Sequence, residues 1–436
     1  MASTYLSRTL GTPTLNTKYT FSAWVKRSIP SSAHTLIGGS SSAPDTFIIN
    51  SNNKLTYYAN DGSSASISTT RLLRDTSAFY HLVLAVDTTQ ATASDRVKMY
   101  INGTLQTAFD TSTYPAQNYV NKLNSAVPHR IGQNPTYSSE TFDGLMSHIH
   151  FIDGTQYQAS DFGETDATTG IWKPKTAPSV TYGTNGFFLK FENSGSMGLD
   201  SSPNGNDFTV NGTLTQTVDT PSNVFATMNP LDHIKGTFFN GNTVMEAITD
   251  PGDAGCRATL GFTKGKWYWE GKINYIKGSG SSANMIGILD SSVTIPTAPN
   301  NVPNGYGFNT EGGVVYNGTT AVTSGLTTGS NGNIYGVGYD ADNGNLYLWV
   351  NGVAENSGNP VATGIDTSVT WIPYFVNHYG STNSHSWQIN FGNGYFVTTA
   401  VSSATSDESG LGIFEYTVPS GYYALCTKNI NEQEYD

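Results

Sequence analysis

Apolar and polar residues alternate with a period of two along most of this chain. Leu82, Leu84 and Val86 alternate with Val83, Ala85 and Asp87, and Val97, Met99 and Ile101 alternate with Lys98, Tyr100 and Asn102. In the second half, Trp267, Trp269, Gly271 and Ile273 alternate with Tyr268, Glu270, Lys272 and Asn274, and Leu346, Leu348 and Val350 with Tyr347, Trp349 and Asn351. Successive side chains of an extended strand point to opposite sheet faces, so each run lays one apolar row on one face. Turn signals punctuate the runs: Asp61-Gly62, Asn102-Gly103, Asp153-Gly154, Asn204-Gly205, Asn317-Gly318, Asn343-Gly344 and Asn351-Gly352. Such pairs supply the positive φ angles of tight hairpins. Many short strands so spaced predict an all-β sandwich or barrel. A helical period is nowhere sustained for three turns. The best short candidate is Ala159-Ser-Asp-Phe-Gly, where Ser160 or Asp161 would cap a single turn.

Composition agrees. Charged residues are 12% of the chain, about half the ~25% usual for soluble proteins. The 25 Tyr, 20 Phe and 46 Gly argue against disorder and against a long helical protein. A length of 436 residues calls for two or three domains. The polar stretch Thr217-Val-Asp-Thr-Pro-Ser-Asn reads as a boundary. The expected division is 1–222, 223–402 and a closing segment 403–436, after the break at Val401 to Gly410.

The net charge is −12. Residues 1–222 carry 14 basic and 16 acidic side chains, and residues 223–436 carry 7 and 17. Neither half offers the basic footprint that a nucleic acid needs, and an anionic membrane surface is disfavoured for the same reason. No apolar run approaches the ~18 residues of a membrane-spanning helix. The start, Met1-Ala-Ser-Thr-Tyr-Leu-Ser-Arg, lacks a basic segment followed by an apolar core, so no secretory signal is expected. Cys256 and Cys426 do not make a disulfide framework, and spacing leaves their pairing open.

Candidate chemistry is sparse. Asp200, Asn204, Asn206 and Asp207 share the loop Asp200-Ser-Ser-Pro-Asn204-Gly-Asn206-Asp207. Their oxygens are of the kind Ca²⁺ takes, and the same residues also suit an Asx-rich turn bonded to its own backbone. Asp340-Ala-Asp342-Asn-Gly344 reads as a hairpin turn. His148 and His150 fall on one strand face, about 7 Å apart at ~3.4 Å rise per residue. A metal shared across a trimer axis and a half-exposed strand pair both fit them, and no third ligand is apparent.

Loops of the second half are candidates for recognition: 278–284, 298–306 and 377–385. The last joins Asn377, His378, Tyr379, Asn383 and His385, a mixture of amide, imidazole and phenol groups that suits sugar hydroxyls. Asn304 and Tyr306 close the second loop. An ordinary polar loop is the alternative reading. Trp24, Trp267, Trp269 and Trp349 lie within strands and read as core. The Asn-Gly-Thr triplets at 102, 211 and 317 read as turns. The chain has no Gly-x-Ser-x-Gly elbow, no Gly-x-x-x-x-Gly-Lys phosphate loop and no Glu-x-Asp-x-x-Glu strand. Catalysis is therefore not expected.

A succession of motifs carries a resemblance. Tyr19-Thr-Phe-Ser-Ala-Trp-Val-Lys-Arg, Phe79-Tyr-His-Leu-Val, Val97-Lys-Met-Tyr-Ile-Asn-Gly and Phe142-Asp-Gly-Leu-Met resemble, in this order, the laminin-G/pentraxin-like branch of the concanavalin A-like sandwiches. Gly265-Lys-Trp-Tyr-Trp-Glu, Ile286-Gly-Ile, Tyr306-Gly-Phe, Ile334-Tyr-Gly-Val-Gly-Tyr-Asp, Leu346-Tyr-Leu-Trp-Val-Asn-Gly and Trp371-Ile-Pro-Tyr-Phe resemble a SPRY domain. Phe162 to Lys175, Leu189 to Phe208 and Asn223 to Leu231 resemble segments that join such units in structural proteins of tailed bacteriophages. The stretch 189–208 stands last in its domain, where many laminin-G-like domains have it first. This implies a permuted order, with Phe187, Leu189 and Phe191 closing the sheet that Tyr5 and Leu6 begin.

The resemblance implies two tandem concanavalin A-like β-sandwiches of jelly-roll type in a non-enzymatic virion protein. The expected function is a tail fibre or appendage that recognises a host surface glycan or protein. The alternatives are a capsid decoration or head-fibre protein, and a glycan-degrading enzyme. Expected partners are other virion proteins and a second and third copy of the chain, with calcium as the one candidate cofactor.

Overall fold

The computed structural model describes residues 4–40, 42–247, 254–274, 284–296, 301–377 and 385–435. It divides into two compact units, Met1–Gln216 and Thr217–Asp436.

The first unit stacks two antiparallel sheets. The larger runs in the order Phe109–Thr113, Ala65–Leu72, Lys54–Ala59, Asp45–Ile49, His34–Gly39, Pro128–Ile131, Tyr5–Thr9 and Thr209–Asn211. The smaller runs Phe187–Leu189, Gly144–Asp153, Lys18–Arg27, Tyr80–Asp87, Val97–Ile101 and Thr104–Leu105. The predicted rows meet between them: Leu82, Leu84, Val86, Val97, Met99 and Ile101 pack with Phe21, Phe47, Ile67 and Phe151, all buried. The permuted closure takes a different form from the one expected. Phe187–Leu189 pairs with Gly144–Asp153 in the smaller sheet. The strand that closes on Tyr5–Thr9 is Thr209–Asn211, with Tyr5 opposite Asn211. The burial pattern explains the choice: Phe187, Phe188 and Leu189 are all buried, whereas the exposed or half-exposed Thr209, Val210 and Asn211 suit a sheet edge.

Alternation also understates how dry this unit is. The second face of the smaller sheet is covered too, so all but the first residue of Lys18–Arg27 are buried. The cover is a strap spanning 155–182. It contains the predicted single turn, a 3₁₀ turn at Ala159–Asp161 whose N-cap is Gln158 and not Ser160 or Asp161, the Asp161 carboxylate reaching back to the Gln158 N–H, and a hairpin of Gly163–Thr165 with Trp172–Pro174. Trp24 lies on this outer face, so it is buried as expected but not between the sheets.

The second unit repeats the two-layer plan. One sheet runs Met228–Ile234, Ala254–Ala258, Trp371–Asn377, Met285–Asp290, Val302–Asn309, Val314–Gly318 and Thr320–Thr323. The other runs Gly236–Phe239, Val244–Ala247, Ser386–Asn390, Lys266–Asn274, Ile334–Asp340, Asn345–Val350 and Val353–Ala354. Trp267, Trp269, Ile273, Leu346, Leu348 and Val350 face inward with Phe308, Phe375 and Trp387. The opposite row of the same strand, Tyr268, packs with Phe225, Phe414 and Tyr422 beneath the C-terminal segment, and Trp349 joins it there. Tyr423–Ala424 adds a parallel pairing to Lys266–Asn274. The one α-helix of the described residues is Thr427–Ile430. Cys256 and Cys426 are buried free thiols.

Candidate functional site

In the first unit the site begins with Asp153, which the sequence shows only as half of a turn signal. Its buried carboxylate accepts the N–H groups of Thr14 (2.7 Å) and Asn185 (3.1 Å) and the Nδ2 of Asn124 (2.7 Å). Its own N–H donates to the Tyr182 carbonyl, at 2.8 Å. Residues 14 and 182–185 are thereby pinned side by side. Gly183 has φ +70°, and a Cβ there would lie 2.1 Å from the Asp153 carbonyl oxygen, so only glycine lets the two backbones approach. Asn204 then donates from Nδ2 to the carbonyls of Gly183 (2.6 Å) and Gly186 (2.8 Å). The result is an open groove of about 580 Å³, lined by Thr14, Val180 to Thr184, Pro203 and Asn204. That volume lies within the range of small-ligand sites.

The rest of the predicted calcium loop is occupied by its own hydrogen bonds. Asp200 accepts from the N–H groups of Phe188 (2.8 Å), Ser202 (2.8 Å) and Asn206 (2.7 Å) and from the Ser202 hydroxyl (2.7 Å). Asp207 accepts the N–H of Asp200 at 2.8 Å. The Arg8 guanidinium donates to Asn206 Oδ1 (2.8 Å) and to the Asp207 carbonyl (2.6 Å), where a metal would need those oxygens. The arrangement is the Asx-rich turn, closed by a cation the chain itself supplies.

His148 and His150 do not share a plain strand face. Register with Lys18–Arg27 slips between Ser147 and His150, and His148 takes φ +47°. The His150 ring is buried, stacked on Phe188 at 3.8 Å, with Nδ1 2.9 Å from the Tyr182 hydroxyl. Burial, reinforced by His148, His81 and Lys190, pushes it well below the ordinary histidine range. A buried ring stacked in this way is a core element of the strap interface.

In the second unit the structure separates the predicted ligand residues. Asn377 is buried and donates from Nδ2 to the Met245 carbonyl at 2.6 Å. His385 is buried, with Nδ1 3.2 Å from Asn284 Nδ2. Both face inward, which does not suit the surface role expected of them. His378, Tyr379 and Asn383 lie outside the described residues. Asn304 is exposed at φ +51°, inside the register shift between Val302 and Tyr306. That shift turns Tyr306 edge-on to Trp371, at 6.0 Å. Tyr306 lines a cleft of about 200 Å³ with Val322, Thr323 and Pro360 to Thr363. Thr323 Oγ1 donates to the Val361 carbonyl at 2.7 Å and fixes one wall.

Glu270 is a buried acid that the sequence reading passed over. Its carboxylate accepts the N–H groups of Glu415 and Tyr416, both at 2.9 Å, with Asn390 Nδ2 and the Tyr268 hydroxyl at 3.3 Å. Burial outweighs these donors and raises its pKa to about 7. It neighbours neither groove lining and serves to clamp the C-terminal segment.

Residues 3–160, within the first unit, match the family model described as the concanavalin A-like lectin/glucanases superfamily. No curated protein matches the chain. Among solved structures, the chain is similar to the SPRY domain of human HERC1, at 15% identity and a TM-score of 0.33, covering 37% of this chain and 96% of that one. It is also similar to the PSpry domain of TRIM65, at 12% identity and a TM-score of 0.30, covering 38% and 88%.

Proposed function

We propose that this chain is a non-enzymatic binding protein that takes a carbohydrate or a protein surface; the match of residues 3–160 to the concanavalin A-like lectin/glucanases superfamily supports the binding part of that reading. The observation that carries the reading is the chemistry of the two groove linings. They present threonine hydroxyls, the Asn204 amide, tyrosine rings and short apolar side chains. Hydroxyls, amides and aromatic faces match the donors, acceptors and C–H faces of neutral sugars. Neither lining contains a carboxylate, histidine or cysteine, whereas glycosidic cleavage needs a pair of carboxyl groups flanking the bond. Unit 1, with its larger groove, is the preferred binding unit. The acidic second half makes phosphate-rich polyanions poor ligands there.

The finer reading is a virion appendage of a tailed phage, a homotrimeric fibre-type protein that binds a host surface glycan and contacts other virion proteins. The motif resemblance supports it. Glycan-array binding by the whole chain tests the coarse reading. Retained binding on loss of chelatable metal, and its loss in Asn204→Ala or Tyr182→Ala, is the expected outcome. Release of reducing sugar from a bound polysaccharide would sink the non-enzymatic claim. Antibody labelling of intact particles at the tail supports the appendage, and uniform labelling of the head favours the decoration reading.

A further inference from the structure

The strap over the smaller sheet of the first unit is held at its centre by an unusual pair. His81, wholly buried on the Tyr80–Asp87 strand, stacks on Trp24 at 4.7 Å and lies 5.9 Å from the Trp172 ring of the strap. Trp172 Nε1 is 3.0 Å from His81 Nδ1, and His81 Nε2 is 2.9 Å from the Ser22 hydroxyl. An indole N–H can only donate. His81 Nδ1 must therefore be the bare, accepting nitrogen, and the ring must be neutral with its proton on Nε2 toward Ser22. Room for the contact is made on the strap itself: a Cβ on Gly163 would lie 2.5 Å from the Trp172 ring. Beneath the strap lie Val83, Ala85 and Tyr100, which pack with Ala159.

We propose that the 155–182 strap is acid-opened: a proton on His81 Nδ1 turns its acceptor into a second donor, removes the Trp172 bond and uncovers this apolar face. The polarity is locked at this one bond. His150 and Tyr182 also meet across the strap, but a phenol can accept as well as donate, so that contact survives protonation. The groups around His81 give the imidazolium no counter-ion. Ser22 and Trp24 face it from the Lys18–Arg27 strand, Trp172 from the strap, and the bases His148 and His150 from the Gly144–Asp153 strand. Asn102, beyond the Val97–Ile101 strand, meets only its backbone, accepting the His81 N–H at Oδ1 and donating its own N–H to the His81 carbonyl. His148 is itself a base, facing Glu192 and Lys190. Of the strap's charges, Lys173 pairs with Asp166 and Glu164, and Asp161 accepts the Gln158 N–H. Stacking on Trp24 offsets only part of the cost of burying an unpaired cation. Burial accordingly lowers the His81 pKa from 6.5 to about 3.

Hydrogen exchange of the whole chain, corrected for the intrinsic effect of pH, tests this. Between neutral pH and the acid end of that window, peptides within 155–182 should lose protection about tenfold or more. Peptides of the buried Lys18–Arg27 strand should keep theirs. In His81→Asn, the side-chain oxygen still accepts the indole N–H and never charges, so the strap should stay closed in acid. In Trp172→Phe the acid effect should shrink, because no bond depends on Nδ1. Imidazole nitrogen shifts of the native chain supply a readout that needs no variant: Nδ1 should be unprotonated when the strap is closed and protonated when it is open. Strap and core losing protection together, no loss at all, opening without protonation of Nδ1, or full opening in His81→Asn would each overturn the proposal.

Discussion

Single residues decide what the loop at 200–207 is. The Asp200 carboxylate is what matters there, and its partners are backbone and hydroxyl donors. Asp200→Ala would leave those donors without an acceptor, several of them buried, and should destabilise the first unit by at least about 2 kcal/mol. The midpoint of thermal unfolding should respond to that substitution and stay unmoved by added calcium or chelator. A calcium-dependent rise of several degrees would contradict the turn. Trp267, wholly buried with its Nε1 donating to the Lys264 carbonyl at 2.6 Å, belongs to the inward row. Trp267→Ala should cost about 3–5 kcal/mol by denaturant unfolding.

Elements outside the two-layer plan are the ones clamped by buried polar groups. The C-terminal segment crosses the outer face of the second unit's Lys266–Asn274 sheet. Buried carboxylates hold it, among them Glu270 from beneath and Asp407 from within, which accepts the N–H groups of Leu411 (2.9 Å), Gly412 (2.9 Å) and Ala424 (2.8 Å) and the Asn429 Nδ2 (2.9 Å). Glu270→Gln places an NH₂ where an oxygen now accepts two donors. We expect a loss of at least about 2 kcal/mol and faster proteolysis within 403–435, with Ile334–Asp340 and its neighbours still protected. Simultaneous loss of both would mean that the segment is part of the fold's nucleus and not a separate clamp. The strap of the first unit has the same logic with a histidine in the place of the acid.

For the whole molecule, these clamps give the two units opposite responses to pH. The histidines of the first unit are depressed by burial, His34 to about 4 and His81 to about 3, with His129, His148 and His150 also lowered. Below 6.5 the unfolded chain binds those protons and the native unit resists them, so their stability is present above 6.5 and is lost as pH falls toward 3. Asp45, raised by burial, opposes this with one carboxyl against five imidazoles. Glu270 has the other sign. Its pKa of about 7 stands above the ordinary 4.5, so its contribution is complete below 4.5 and is lost as pH rises through about 7. Calorimetry across this range should show two transitions, the first unit's falling in acid and the second's gaining there. Two transitions that move together would refute the assignment.

The strand pattern was legible because alternation is a local property: a residue's face is set by its parity, and Leu82, Leu84, Val86, Trp267 and Trp269 lie where parity puts them. The turn pairs were legible because positive φ is a local demand, as at Asn102 and Asn351. Long-range partners were not. Whether Phe187 or Val210 would join the Tyr5 strand depends on which face is already covered. Whether Asn377 and His385 meet solvent depends on the sheet they fall against, and the groove at Asn204 exists only because Asp153 draws residues 14 and 185 together. The chain alone therefore determined two-layer β architecture, through side-chain parity and backbone torsion. Tertiary structure decided which second faces are covered, which polar groups are shut away from water and where the grooves open, because burial and hydrogen-bond partnership are properties of residues distant in sequence.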